Sequence, residues 1–217
     1  MKLTGELLLQ IGKAFPLHLQ DPEEYLRLKV SGMTFDIRAF RVKGLGHVSC
    51  MTATGFFGLM KMDTVIIVPT EVDMPLYSYD RVLAMGNDTL IFELYDTFLE
   101  SARLTALDQV KGIYEHLPEH DLGAHWYDSI KLSQSLSKKG KKQHRAEFDR
   151  CAIEYTAAYL AAAQAAPHCD GDAKRKKASV YVEGLLTHGG PSTDVFKKGI
   201  GEEKTAELFR KVLFATE

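Results

Sequence analysis

No segment restricts the fold of this chain more than Met60 to Asp96. Thr64 to Val68 runs apolar at consecutive positions instead of alternating, the mark of a central strand buried on both faces, so a covering layer is expected on each side. Tyr79 to Met85 alternates imperfectly. Gly86-Asn87-Asp88 then offers residue types that tolerate left-handed turns, and Thr89 to Tyr95 reads as the returning strand. Connections this short exclude a parallel crossover, which needs about a dozen residues, so the sheet is predicted antiparallel.

The 217 residues are 45% hydrophobic and 26% charged, the balance of an ordinary globular chain, and a single domain over 1–217 is expected. A net charge of −2 argues against general affinity for nucleic acid. Cys50, Cys151 and Cys169 lack the close spacing of a zinc site or a disulfide framework, so a reducing cytoplasm is the expected location. The run Leu7-Leu8-Leu9 follows acidic Glu6 and precedes no small-residue cleavage site, so no signal peptide is expected. No later run is long enough to span a bilayer.

In chain order, Thr4 to Ala14 has helical spacing, and Pro16 and Pro22 bracket a connection. Tyr25 to Val30 and Phe35 to Arg41 alternate as strands around the turn Ser31-Gly32-Met33. His47 to Ala53 is a further strand, followed by a Gly55-Phe56-Phe57-Gly58 turn. The second half is helical: Ala102 to Leu117, Glu147 to Ala166, Ala173 to Leu186 and Glu202 to Phe214 each carry one apolar face. Strands first and helices after is an α+β order, with helices packed on the sheet. Ser133 to Gln143, with Lys138, Lys139, Lys141 and Lys142, reads as a mobile solvated linker or a docking site for an acidic partner. Lys174-Arg175-Lys176-Lys177 begins a helix, where positive charge opposes the helix dipole, and that hints at a role.

Most chemical signatures are missing. No glycine-rich phosphate loop, nucleophile elbow or helical histidine pair is present. His116, His120 and His125 are irregularly spaced and lack companion ligands, so no metal is expected. Cys50 reads as an inert buried thiol rather than a nucleophile. What remains is Asp63, Asp73, Tyr77, Tyr79, Asp80, Glu93, Tyr95 and Asp96. A carboxylate at the edge of a buried sheet has a raised pKa unless it is paired, which makes Asp80 a candidate proton donor. The alternative is that Asp80 caps a turn or pairs with Arg81. Strand alternation sets Tyr77 and Tyr79 opposite Ser78 and Asp80.

Phe40-Arg41, Val65-Ile66-Ile67-Val68-Pro69, Met74-Pro75-Leu76-Tyr77-Ser78-Tyr79-Asp80 and Leu90-Ile91-Phe92-Glu93, in that order, resemble the core of the ferredoxin-dependent bilin reductases. Ser192-Thr193-Asp194-Val195-Phe196-Lys197-Lys198, Gly201-Glu202 and Val212-Leu213-Phe214 resemble that family's closing segment, a helix, a glycine turn and a last helix ending in Leu-Phe. The resemblance implies a three-layer α/β/α sandwich with a central antiparallel sheet and C-terminal helices. It implies a linear tetrapyrrole held between sheet and helices, no bound flavin, metal or nicotinamide, and electrons arriving singly from ferredoxin. Asp80 matches the family's proton-donating aspartate.

The chain also departs from the pattern. Thr64 stands where several bilin reductases carry a histidine, and His47 to Thr52 lacks the glutamate expected there. Related reductases, including those acting on the red chlorophyll catabolite, use other pocket acids, and a carrier that binds pigment without reducing it is the alternative. His47 is a possible substitute acid, and Arg38 or Arg41 could hold a propionate. Thr64, Arg41, His47, Tyr79 and Glu93 are thus the expected substrate contacts beside Asp80. Under the same resemblance the clusters Lys138 to Lys142 and Lys174 to Lys177 become the docking surface for acidic ferredoxin.

Overall fold

The computed structural model describes residues 2–21 and 23–217; Pro22, read as one end of a connection, lies outside them. Among the described residues the strands are β1 (Leu17–Gln20), β2 (Arg27–Val30), β3 (Met33–Val42), β4 (Gly46–Gly55), β5 (Met60–Pro69), β6 (Leu76–Ala84), β7 (Asn87–Tyr95) and β8 (Leu136–Lys141). They form one sheet in the order β1-β3-β4-β5-β6-β7-β8, every pairing antiparallel. β2 shares an edge of β3 with β1, pairing along Met33 to Asp36.

The consecutive apolar run on β5 needs a layer on each face, and the fold provides both. Val65 and Ile67 face α1 (Lys2–Ala14), α2 (Thr105–Ile113) and α3 (Arg145–Ala165). Ile66 and Val68 face α4 (Gly171–His188), α5 (Pro191–Ile200) and the π-helical stretch Leu208–Leu213, which continues α6 (Glu202–Glu207). Each such side chain contributes roughly 1.5–3 kcal/mol by leaving water. The result is the expected α+β, three-layer α/β/α sandwich. On α3, Tyr155 stacks on Phe92 at 4.2 Å between ring centroids, and the Tyr159 hydroxyl donates to the Pro75 carbonyl at 2.7 Å.

Two readings of the chain need correction. Ser133 to Gln143 is not a mobile linker, because Leu136 to Lys141 pairs with β7 as the edge strand β8. Its lysines hid an alternating pattern in which Leu136, Lys138 and Gly140 point inward. The β6–β7 turn is also Met85-Gly86, both at positive φ, rather than Gly86-Asn87-Asp88. Asp88 is drawn into the fold by the Arg81 guanidinium, a pairing that turn propensity alone does not register.

Candidate active site

Side chains on a strand alternate between faces, so register decides what meets on the sheet. Pairing of β4 through β7 sets Met51, Thr64, Asp80 and Ile91 in one cross-strand row, with Ser49, Ile66, Ser78 and Glu93 in the next. Asp80 and Glu93 form part of the floor of a cleft of about 930 Å³, its open mouth included. The segment between α2 and β8 contributes Leu122, His125 and Tyr127 to the walls, and the C-terminal layer contributes Tyr181, Phe209 and Phe214 among others.

Asp80 is partly buried, and its two oxygens accept from Thr64 Oγ1 at 2.5 Å and Ser78 Oγ at 3.2 Å. Burial pushes its carboxyl up to about 6; the Thr64 bond opposes the rise, the nearby Glu93 charge adds to it, and the Ser78 bond opposes it again. Arg81 is not its partner, since that guanidinium lies on the opposite face with Asp88 and, at 3.3 Å, Asp149. Glu93 accepts from the Tyr95 hydroxyl at 2.6 Å and faces the Lys131 ammonium at 3.7 Å. The wall segment is anchored by Trp126, which packs over Gly184 of α4 and donates Nε1–H to the Gly189 carbonyl at 3.1 Å.

Thr64, Asp80 and Glu93 are therefore brought together as the sequence suggested. The other expected contacts are not. Tyr79 points into the α1–α3 side, packed 5.3 Å from Phe92, as its alternation with Asp80 requires. His47 sits outside this cleft, under the chain's C-terminal segment, donating Nε2–H to the Val212 carbonyl at 2.9 Å. Burial lowers its pKa to about 4, so it cannot replace a missing acid near neutrality. Arg41 is exposed and lines a separate cleft with His47 and Arg175. Cys50 has its thiol pushed up to about 11 by burial, which leaves it inert.

The two basic clusters lose members. Lys138 is buried, its ammonium held by Glu119 and by the carbonyls of Glu115 and Leu117 at 3.2 and 3.0 Å. Lys174 is buried too, bound to Asp73 at 3.1 Å and to the carbonyls of Met74 and Thr97. Each ammonium satisfies backbone carbonyls inside the fold, which a run of lysines in sequence does not reveal. Arg175 pairs with Asp172, and Lys141 donates to Asn87 at 2.6 Å. Lys177 donates to the Phe98 carbonyl, and Lys139, Lys142 and Lys176 remain exposed.

His125, Trp126 and Tyr181 were not foreseen as site residues. Each lies more than 40 residues beyond Asp80 in the chain, and no local pattern marks them. Among the described residues no helix is long and apolar enough to cross a membrane.

Neither a protein-family model nor the sequence of any curated protein matches the chain. Among solved structures it is similar to phytochromobilin synthase from tomato, determined in complex with biliverdin. The likeness has a TM-score of 0.82 at 14% identity and covers 99% of this chain and 82% of that one. At that identity it establishes a shared fold.

Proposed function

We propose that the chain reduces a linear tetrapyrrole in single-electron steps, with Asp80 as proton donor and a ferredoxin-like acidic carrier as electron source. The observation that carries this reading is a carboxyl pushed up to about 6 on the floor of an apolar, aromatic cleft. That cleft lies in a fold shared with a protein solved with biliverdin. A buried acid titrating there is protonated often enough to give its proton and ionises readily once it has done so. Reduction of one double bond takes up two electrons and two protons. An electron added to the conjugated pigment raises its basicity, Asp80 transfers a proton to the resulting radical anion, and a second electron and proton complete the step.

Thr64 Oγ1 and Ser78 Oγ fix the Asp80 carboxyl in orientation, and neither hydroxyl is an acid near neutrality. The deciding experiment is an anaerobic absorbance titration of the protein with biliverdin, followed by reduced ferredoxin. A spectral shift and then a new pigment, lost in Asp80→Asn, supports the reductase. Binding without conversion would support a pigment carrier instead, and absence of binding would leave only the fold in common.

A further inference from the structure

Reduction of a double bond consumes two protons, and Asp80 holds one. The titratable side chains lining the cleft are Asp80, Glu93, Tyr95, His125, Tyr127 and Tyr181. Burial raises the pKa of all three tyrosines, which makes them poorer acids than free phenol. Glu93 accepts from the Tyr95 hydroxyl through one oxygen, and its Oε1, 3.7 Å from the Lys131 ammonium, has no hydrogen-bond partner. His125 is the one imidazole among these groups.

His125 lines the cleft from the segment between α2 and β8, whereas Asp80 rises from the sheet. Its Nδ1 is enclosed and has no hydrogen-bond partner, an unusual state for a buried polar atom and one that a bound polar group would relieve. The ring is held in place without engaging that atom. It lies nearly parallel to Tyr127, 10° between planes and 4.9 Å between centroids, and the His125 backbone N–H donates to Asp128 at 2.8 Å. Imidazole is the side chain best suited to passing a proton near neutral pH.

We infer that His125 is the second proton donor of the site, bonding through Nδ1 to a nitrogen or carbonyl oxygen of the bound pigment. This rests on the proposed reductase reading and deepens it. After the first electron and the proton from Asp80, a neutral radical remains. The second electron converts it to an anion, the doubly protonated ring of His125 gives its Nδ1 proton to that anion and is left as neutral imidazole with its proton on Nε2, and it takes a new proton from solvent before the next turnover. Both protons and both electrons are then accounted for.

The test compares wild type with His125→Asn, which keeps a polar group near Nδ1 and removes the titrating proton. Single-turnover reduction of bound biliverdin by reduced ferredoxin is followed anaerobically by absorbance and electron paramagnetic resonance. The variant should bind biliverdin within about tenfold of wild type, the range of one hydrogen bond. Conversion should slow by about 100-fold, in the range of a lost general acid, with a partly reduced pigment species accumulating. Wild-type turnover together with an equally fast His125→Asn variant would overturn the inference and leave the reductase reading standing. If wild type binds biliverdin without reducing it, nitrogen-15 histidine spectra decide. A His125 ring signal unmoved by biliverdin overturns the contact, and a shifted one supports it. Failure of wild type to bind would sink both readings.

Discussion

Thr64 Oγ1 donates to Asp80 Oδ1 at 2.5 Å, from directly opposite on the neighbouring strand. A bond to the carboxylate favours its ionised form, so Thr64 restrains the rise that burial imposes on Asp80. A proton donor works below its pKa and fails above it. In Thr64→Val the Asp80 pKa should climb further, and the basic limb of the single-turnover pH profile for pigment conversion should move to higher pH. A limb that stays in place, or moves down, would remove Asp80 as the titrating donor.

The same carboxyl strains the fold. It titrates near 6 in the folded chain against about 4 in an unfolded one. Between those values the folded state holds a proton that the unfolded state has lost, so this contribution favours folding at low pH and is lost as pH rises through 6. At pH 7 Asp80→Asn should therefore be more stable by about 1–3 kcal/mol, with Tm higher by several degrees for a chain of this length. The gain should shrink as pH falls to 4, and thermal melts at the two pH values check it.

His47 acts in the opposite sense. Its pKa falls to about 4 because burial keeps the ring neutral, against about 6.5 unfolded. The unfolded chain takes up a proton first, so stability drops as pH falls from 6.5 towards 4, by up to about 3 kcal/mol. His47 Nε2 and Ser49 Oγ hold the terminal carbonyls of Val212 and Leu213, so the π-helical end should loosen first. Protection factors at 212–214, taken relative to the intrinsic exchange rate at each pH, should fall between pH 7 and pH 5 in wild type, and in His47→Gln they should change little.

The contrast between Asp80 and His47 shows what the sequence discloses. Strand alternation places both on the face under the C-terminal layer, and register is readable from the run Thr64 to Val68 and the short turns. Which part of that face opens as a cleft depends on where the chain's last turns settle. Val212 and Leu213 close over His47, more than 160 residues away in sequence. Lys138 and Lys174 were opaque for a related reason. A lysine run reads as solvated surface until the fold supplies Glu119, Asp73 and loose carbonyls to bind one ammonium from each.

Lys174 should matter to stability rather than docking. Burial pushes Asp73 up, but the N–H groups of Leu99 and Glu100 and the Lys174 ammonium outweigh it and hold the carboxyl below its usual range. Lys174→Met leaves that charge without its cation and strips the Met74 and Thr97 carbonyls of a donor. A loss of about 3–5 kcal/mol in denaturant unfolding is expected. By contrast, neutralising exposed Lys139, Lys142 and Lys176 should leave stability and biliverdin binding unchanged while slowing reaction with reduced ferredoxin. The slowing should be greatest at low salt.

Trp126, the chain's single tryptophan, reports on the cleft wall directly. Its ring occupies the space over Gly184, where an added Cβ would collide with it, and it neighbours His125 and Tyr127 on the lining segment. Gly184→Ala should expel the indole, break its bond to the Gly189 carbonyl and displace the wall, because helix α4 cannot yield around a fixed backbone position. Tryptophan emission should then shift to the red in the free protein, and biliverdin affinity should fall by about tenfold or more, the effect of roughly 1.4 kcal/mol. A bound pigment that absorbs in the visible should also quench Trp126 in wild type, giving a titration independent of turnover. Unchanged emission with unchanged affinity in Gly184→Ala would mean that this wall does not shape the pigment site.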